Sequence, residues 1–170
     1  MTTVDELEAT IKSLEARLTE LEDERELREL LARYGYNADV CRDEAYVDLY
    51  TEDGVMNLGS GFRPGVRRWE GRVGLTEFIT DPMGHKHPDQ YGKRMHVQGN
   101  NVVCHIKGDE AIVNSYSIVL LRKGDDVTLN SAGNNEWSMR KVNGKWLIKE
   151  RKRRHIAGED YHENLEATPT

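Results

Sequence analysis

Four long runs of strand-forming residues fill the second half of this chain, at 95–106, 110–122, 127–141 and 145–156. Only short turns separate them: Lys107-Gly108-Asp109, Lys123-Gly124-Asp125 and Asn143-Gly144. Asn-Gly is a strong hairpin signal, because a tight two-residue turn needs positive φ at both positions. Parallel neighbours need a long crossover, so runs joined this closely pair antiparallel. The spacing therefore predicts a meander, and the helical patterns that precede it make the class α+β.

Residues 4–36 read as one long helix. Leu7, Ile11, Leu14, Leu18 and Leu21 recur at heptad spacing. The stripe then jumps to Leu27, Leu30, Leu31 and Tyr34, so it rotates around the helix. Residues 1–23 read as a helical extension that packs on a partner chain or back on the body, with 24–36 as the first helix of the domain. A second helix is expected at 44–50 and a turn at Glu52-Asp53-Gly54. A short hairpin follows (55–59 with 66–71), then a helix at 74–80. Residues 81–94, with Pro82, Gly84, Pro88 and Gly92, read as a long loop of the kind that often binds or covers a ligand. The domain is expected to span 24–156, with a tail at 157–170.

Charge and composition narrow the classes. The net charge is −6, and residues 1–36 hold ten acids and five bases, so nearly all of the imbalance sits in the helical arm. An acidic chain argues against a nucleic-acid partner. No window is apolar enough for a transmembrane helix, and the first residues have no signal-peptide pattern. Two cysteines, Cys41 and Cys104, do not make a disulfide framework, which points to a cytoplasmic protein with free thiols.

The residues with chemical promise are Tyr34, Asp39 and His96. An Asp bonded to a His fixes its tautomer and makes it a general base, and a nearby Tyr can donate to a developing oxyanion. The order of elements carries a resemblance. The segments LARYGYNADVCRDEAYVDLYTEDGVMNL (31–58), HVQGNNVVCHI (96–106) and VNGKWLIKERK (142–152) resemble the SnoaL-like branch of the nuclear transport factor 2-like superfamily. The resemblance implies a cone-shaped α+β barrel: a strongly curved, mixed, largely antiparallel sheet packed on helices, with an apolar pocket at its mouth. Within the branch the chain resembles scytalone dehydratase, hexachlorocyclohexane dehydrochlorinase and bile acid 7α-dehydratase. By that resemblance Asp39 and His96 fall on the catalytic dyad and Tyr34 on an assisting tyrosine. Leu58 stands where the bile acid enzyme has a further tyrosine, and 59–69 is longer and basic (Arg63, Arg67, Arg68), so reaction type transfers better than substrate.

The expected function is a cofactor-independent lyase of the dehydratase type, or an isomerase, acting on a cyclic, aromatic or steroid-like molecule. The alternative is a non-catalytic small-molecule binder or assembly module on the same fold. Tyr116, Trp69, Leu58, Trp137 and Arg140 are candidates to line the pocket. His85-Lys86-His87 lacks the carboxylate or cysteine framework of a metal site and reads as a surface loop or lid. In the basic run 149–154, Arg151, Arg153 and His155 share one strand face, so at least one cation turns toward the interior or an interface and needs a partner. A homo-oligomer, trimer or dimer, is expected.

Overall fold

The computed structural model describes residues 3–60 and 67–166, without the side chains of residues 99–101 and 103. Helix α1 runs unbroken over Val4–Asp39. Thr3 starts it with a capping box: its Oγ1 accepts from Glu6 N at 3.3 Å while Glu6 Oε2 accepts from Thr3 N at 2.8 Å. Leu27, Leu30, Leu31, Tyr34 and Ala38 form its buried stripe. The heptad residues Leu7 to Leu21 are more than half exposed, so the arm does not pack back on the body. The helix continues three residues past the expected end, which places Asp39 on its last turn.

Helix α2 (Asp43–Val47) is followed by strand β1 (Tyr50–Leu58). Glu52-Asp53-Gly54 does not turn the chain as its composition suggests. It lies inside β1, where the pairing register shifts between Tyr50 and Val55, so sheet pairing overrides turn propensity. Strand β2 (Arg68–Glu70) pairs antiparallel with β1, and α3 (Gly71–Thr80) follows. Arg63 and Val66 lie outside the described residues. The meander β3 (Arg94–Lys107), β4 (Glu110–Lys123), β5 (Asp126–Val142) and β6 (Lys145–His155) completes the chain's sheet. Asn143 (φ 52°) and Gly144 (φ 76°) form the tight turn.

The sheet is open and mixed, ordered β2-β1-β6-β5-β4-β3, with only β1 and β6 parallel. Its concave face holds α1–α3 around a core of Trp137, Trp146, Tyr46, Leu75 and Ile148. One irregularity matters for the site. Ser138 pairs with Glu150 but Met139 pairs with Ile148, leaving Lys149 as an extra residue on β6. Before it Trp146 and Ile148 point inward; after it Arg151 and Arg153 do.

The last described residues, 157–166, are polar yet docked on the outer face. Asp160 accepts from Ser60 N and Oγ at 2.8 and 2.6 Å, and buried Asn164 donates to Asn134 Oδ1 at 2.8 Å. A short helix α4 (Glu163–Glu166) closes this segment. No described helix is long and apolar enough to cross a membrane.

Candidate active site

Helix α1 meets β3 at Gly35. A Cβ there would stand in ordinary contact, 3.4 Å from His96 Cβ, so helix and strand lie directly against each other. One turn later, on the same helix face, Asp39 lies over His96. Its carboxylate accepts twice from that residue, from the main-chain N at 2.8 Å and from Nδ1 at 2.5 Å. Both side chains are largely buried, at 15% and 5% exposed. Asp39 also sits at the negative end of the helix macrodipole with no basic residue in the last turn, and the two His96 donors offset that unfavourable position.

Burial pushes the His96 imidazole below its ordinary value; the Asp39 hydrogen bond and charge oppose this, while Arg151 and Arg153 add to it. His96 is thus neutral at pH 7. With Nδ1–H given to Asp39, its lone pair is on Nε2, the ring nitrogen left for a ligand.

Tyr34 stands edge-on to His96, ring centroids 6.5 Å apart. Its hydroxyl is 2.7 Å from that of Tyr46 and accepts from Arg151 Nη1. When Tyr46 donates, the Tyr34 proton is free to donate elsewhere.

Tyr34, His96 and Arg151 border a cavity of about 390 Å³, with Asp39 behind His96. Leu58, Trp69, Phe78, Met83 and Val119 give it an apolar wall. Its lining is more apolar than polar, as expected, but not apolar throughout. Arg67, Arg94, Arg151 and Arg153 also line it, with His85, His155 and Asp81. The extra residue at Lys149 accounts for two of the arginines, since it turns Arg151 and Arg153 of β6 inward; Arg67 comes from just before β2 and Arg94 from the start of β3.

Tyr34, Asp39 and His96 come together, and Leu58 and Trp69 line the cavity beside them. The other three candidates lie elsewhere. Tyr116 is 39% exposed, because the odd-numbered residues of β4, such as Val113, Ser115 and Ser117, face inward. Arg140 shares the outer parity on β5 and lines a separate shallow cavity with His105 and Glu110. Trp137 is fully buried beneath the site, donating from Nε1 to Ser115 Oγ at 3.0 Å.

Sequence reasoning missed His85. The 81–93 segment is a run of turns, held by Lys86 on Asp43 at 2.7 Å and by Arg94 Nη2 on Gly84 O at 3.3 Å. It sets His85 into the cavity wall, parallel to His96 with centroids 6.2 Å apart and 5.0 Å from Phe78. Burial first, then Arg94 and His96, hold its imidazole well below the ordinary range. A loop has no periodicity to show which residue turns inward. No metal-holding cluster occurs among the described residues.

Residues 19–152 match the SnoaL-like domain. No curated protein matches the chain. Among solved structures, an NTF2-like protein with a cystatin-like fold from Novosphingobium aromaticivorans is 26% identical, with 97% of each chain covered and a TM-score of 0.78. A candidate scytalone dehydratase from the same organism is 23% identical over 85% of this chain and 91% of its own, with a TM-score of 0.66. The beta subunit of a candidate aromatic-ring-hydroxylating dioxygenase, also from Novosphingobium aromaticivorans, is 16% identical over 81% and 91%, with a TM-score of 0.67. The last two likenesses are of fold. With the domain match running from the middle of α1 into β6, the chain belongs to the SnoaL-like family of the NTF2-like superfamily.

Proposed function

We propose that the protein is a cofactor-independent lyase or isomerase that removes a carbon-bound proton from a cyclic small molecule. The observation that carries this reading is the 2.5 Å bond between His96 Nδ1 and Asp39 at the edge of the cavity. In the reaction, Nε2 of neutral His96 takes a proton next to an activating carbonyl. Asp39 holds the ring in place and stabilises the imidazolium as it forms. Tyr34 donates to the carbonyl oxygen as charge gathers there, or to a departing hydroxyl. In elimination the C–H electron pair becomes the new double bond and the leaving group departs with its proton. In isomerisation His96 returns the proton to another carbon.

The test needs no knowledge of the natural substrate. Deuterium wash-in at the α-carbon of a neutral cyclic ketone, followed by NMR in D2O, reads the proton-abstraction step alone. Wild-type protein is expected to accelerate exchange. His96→Ala and Asp39→Asn are each expected to lose most of that acceleration while keeping the wild-type circular dichroism spectrum. Exchange at wild-type rates in either folded variant would sink the mechanism.

A further inference from the structure

Strand β6 carries cations on both faces, and the faces differ in what answers them. Of the remaining cations on the strand, Lys149 pairs with Asp53, Lys152 Nζ lies 2.7 Å from Glu136, and Arg154 Nε lies 3.2 Å from Asp160 and 3.0 Å from Glu163. Arg151, on the inner face and 2% exposed, has no carboxylate within ion-pair distance among the described residues. Its hydrogen-bond partners and the rings against it are neutral. Nη1 donates to Tyr34 Oη and Nε to Asn135 Oδ1 at 2.9 Å, while the rings of Tyr34 and Trp137 each lie 4.7 Å from Cζ. Nη2 is buried with no hydrogen-bond partner among the described residues.

A buried guanidinium is costly unless an anion answers it, and cation–π contacts offset only part of that cost. Two residues on, Arg153 repeats the placement, 6% exposed, with Nη2 donating to Ser131 Oγ at 3.0 Å. Burial and the neighbouring Arg151 push its guanidinium down to about 9, still charged at neutral pH. Among the described residues, the cavity that both line holds one acid, Asp81, beside Arg67, Arg94, Arg151 and Arg153.

We propose that the molecule bound beside His96 is itself an anion: a ring compound whose carboxylate accepts from Arg151 Nη2 and lies next to Arg153, with the ring against Leu58, Trp69 and Phe78. Nη2 carries two N–H groups and neither has a partner among the described residues, so a carboxylate, the planar acceptor that a guanidinium matches, can be answered at this one atom. The proposal rests on the reading above only for the placement of the substrate beside His96. It has a chemical consequence. The substrate's charge offsets the repulsion that Arg151 and Arg153 exert on the imidazolium, so binding strengthens the base that then acts.

The test uses two probes of the same ring and nearly the same shape, 2-naphthoate and its neutral amide, titrated by calorimetry against the full chain. The acid is expected to bind wild-type protein at least about tenfold more tightly than the amide. Arg151→Met is expected to bring the two affinities together, and His96→Gln to keep the preference. Equal affinities in wild type, or no binding of either probe at about 10 mM, would overturn the proposal. So would a preference unchanged in folded Arg151→Met. Should that variant not fold, the wild-type comparison alone decides. The two readings fail separately. Exchange of a carboxylate-bearing cyclic ketone that stays at the wild-type rate in folded His96→Ala, with the acid still preferred, removes the dyad chemistry and keeps the anion site. Intact exchange with equal affinities removes only the anion site.

Discussion

Asp39→Asn keeps the shape of the side chain and removes its charge, so it separates what the carboxylate does for the fold from what it does for His96. The carboxylate accepts two hydrogen bonds from His96. An amide has one acceptor oxygen and an NH₂ group. If the oxygen keeps the main-chain N–H, the NH₂ faces Nδ1 and donates to it. The imidazole proton then moves to Nε2, and the cavity meets an N–H in place of a lone pair. For stability, a hydrogen bond to a charged group contributes roughly 1.5–3 kcal/mol and a neutral one about 1 kcal/mol, so the exchange costs about 1–2 kcal/mol. Relief of a carboxylate at the C-terminal end of α1 returns roughly 0.3–1 kcal/mol. The net loss in urea unfolding is therefore expected to be about 1 kcal/mol. Deuterium exchange should fall by about 10³–10⁴, the size of effect seen when a His base is held in the wrong tautomer. ¹⁵N NMR of the His96 ring reads the tautomer directly, without any substrate. A wild-type ring protonated on Nε2, or an Asn variant whose exchange stays within about tenfold of wild type, refutes the reasoning.

Stability should depend on pH through His85 and His96, whose folded values both lie below the ordinary 6.5. As pH falls below about 6.5 the unfolded chain takes up protons that the folded chain refuses, so stability drops through that window and is flat above it on their account. The urea midpoint should be lower at pH 5 than at pH 7.5, and a higher one at pH 5 contradicts the burial argument. Asn164→Ala removes a buried amide that donates to Asn134 and to Lys152 O, and should cost about 1–3 kcal/mol in thermal unfolding; no loss would mean the 157–166 segment is not docked in solution. Deleting residues 1–22 takes away the six large exposed apolar residues of the arm and should lower the number of chains per particle measured by light scattering. An unchanged number assigns any assembly to the sheet instead.

The meander was readable because its turns carry chemistry that little else tolerates. Gly108, Gly124 and Gly144 all take positive φ, as does Asn143. The Asp39–His96 pair was readable only through the order of elements, since nothing local in Tyr34, Asp39 or His96 says that 56 intervening residues bring the acid to the imidazole. Strand parity was the weak point. On β4 both faces carry apolar groups, and the small inward Ser115 and Ser117 make the outer face, with Ile112, Tyr116 and Ile118, look like the better wall. On β6, by contrast, the alternation past Lys149 was correct: Arg151 and Arg153 do share the inner face. Glu52-Asp53-Gly54 failed for a different reason, because pairing with β6 stabilises a bulged strand where isolated residues prefer a turn.

Helix α1 is a rod of 36 residues, about 54 Å long at 1.5 Å per residue. It is held from Asp23 onward, where Trp146 Nε1 donates to the carboxylate at 3.0 Å, so roughly half of its length projects and the held end carries Asp39. The held part is bonded at Asp23 and Glu26 and packed along its length from Leu27 to Ala38, so a push on the projecting arm is resisted there before it reaches Asp39. The end of the helix that carries the acid is thus buffered from the end that meets solvent.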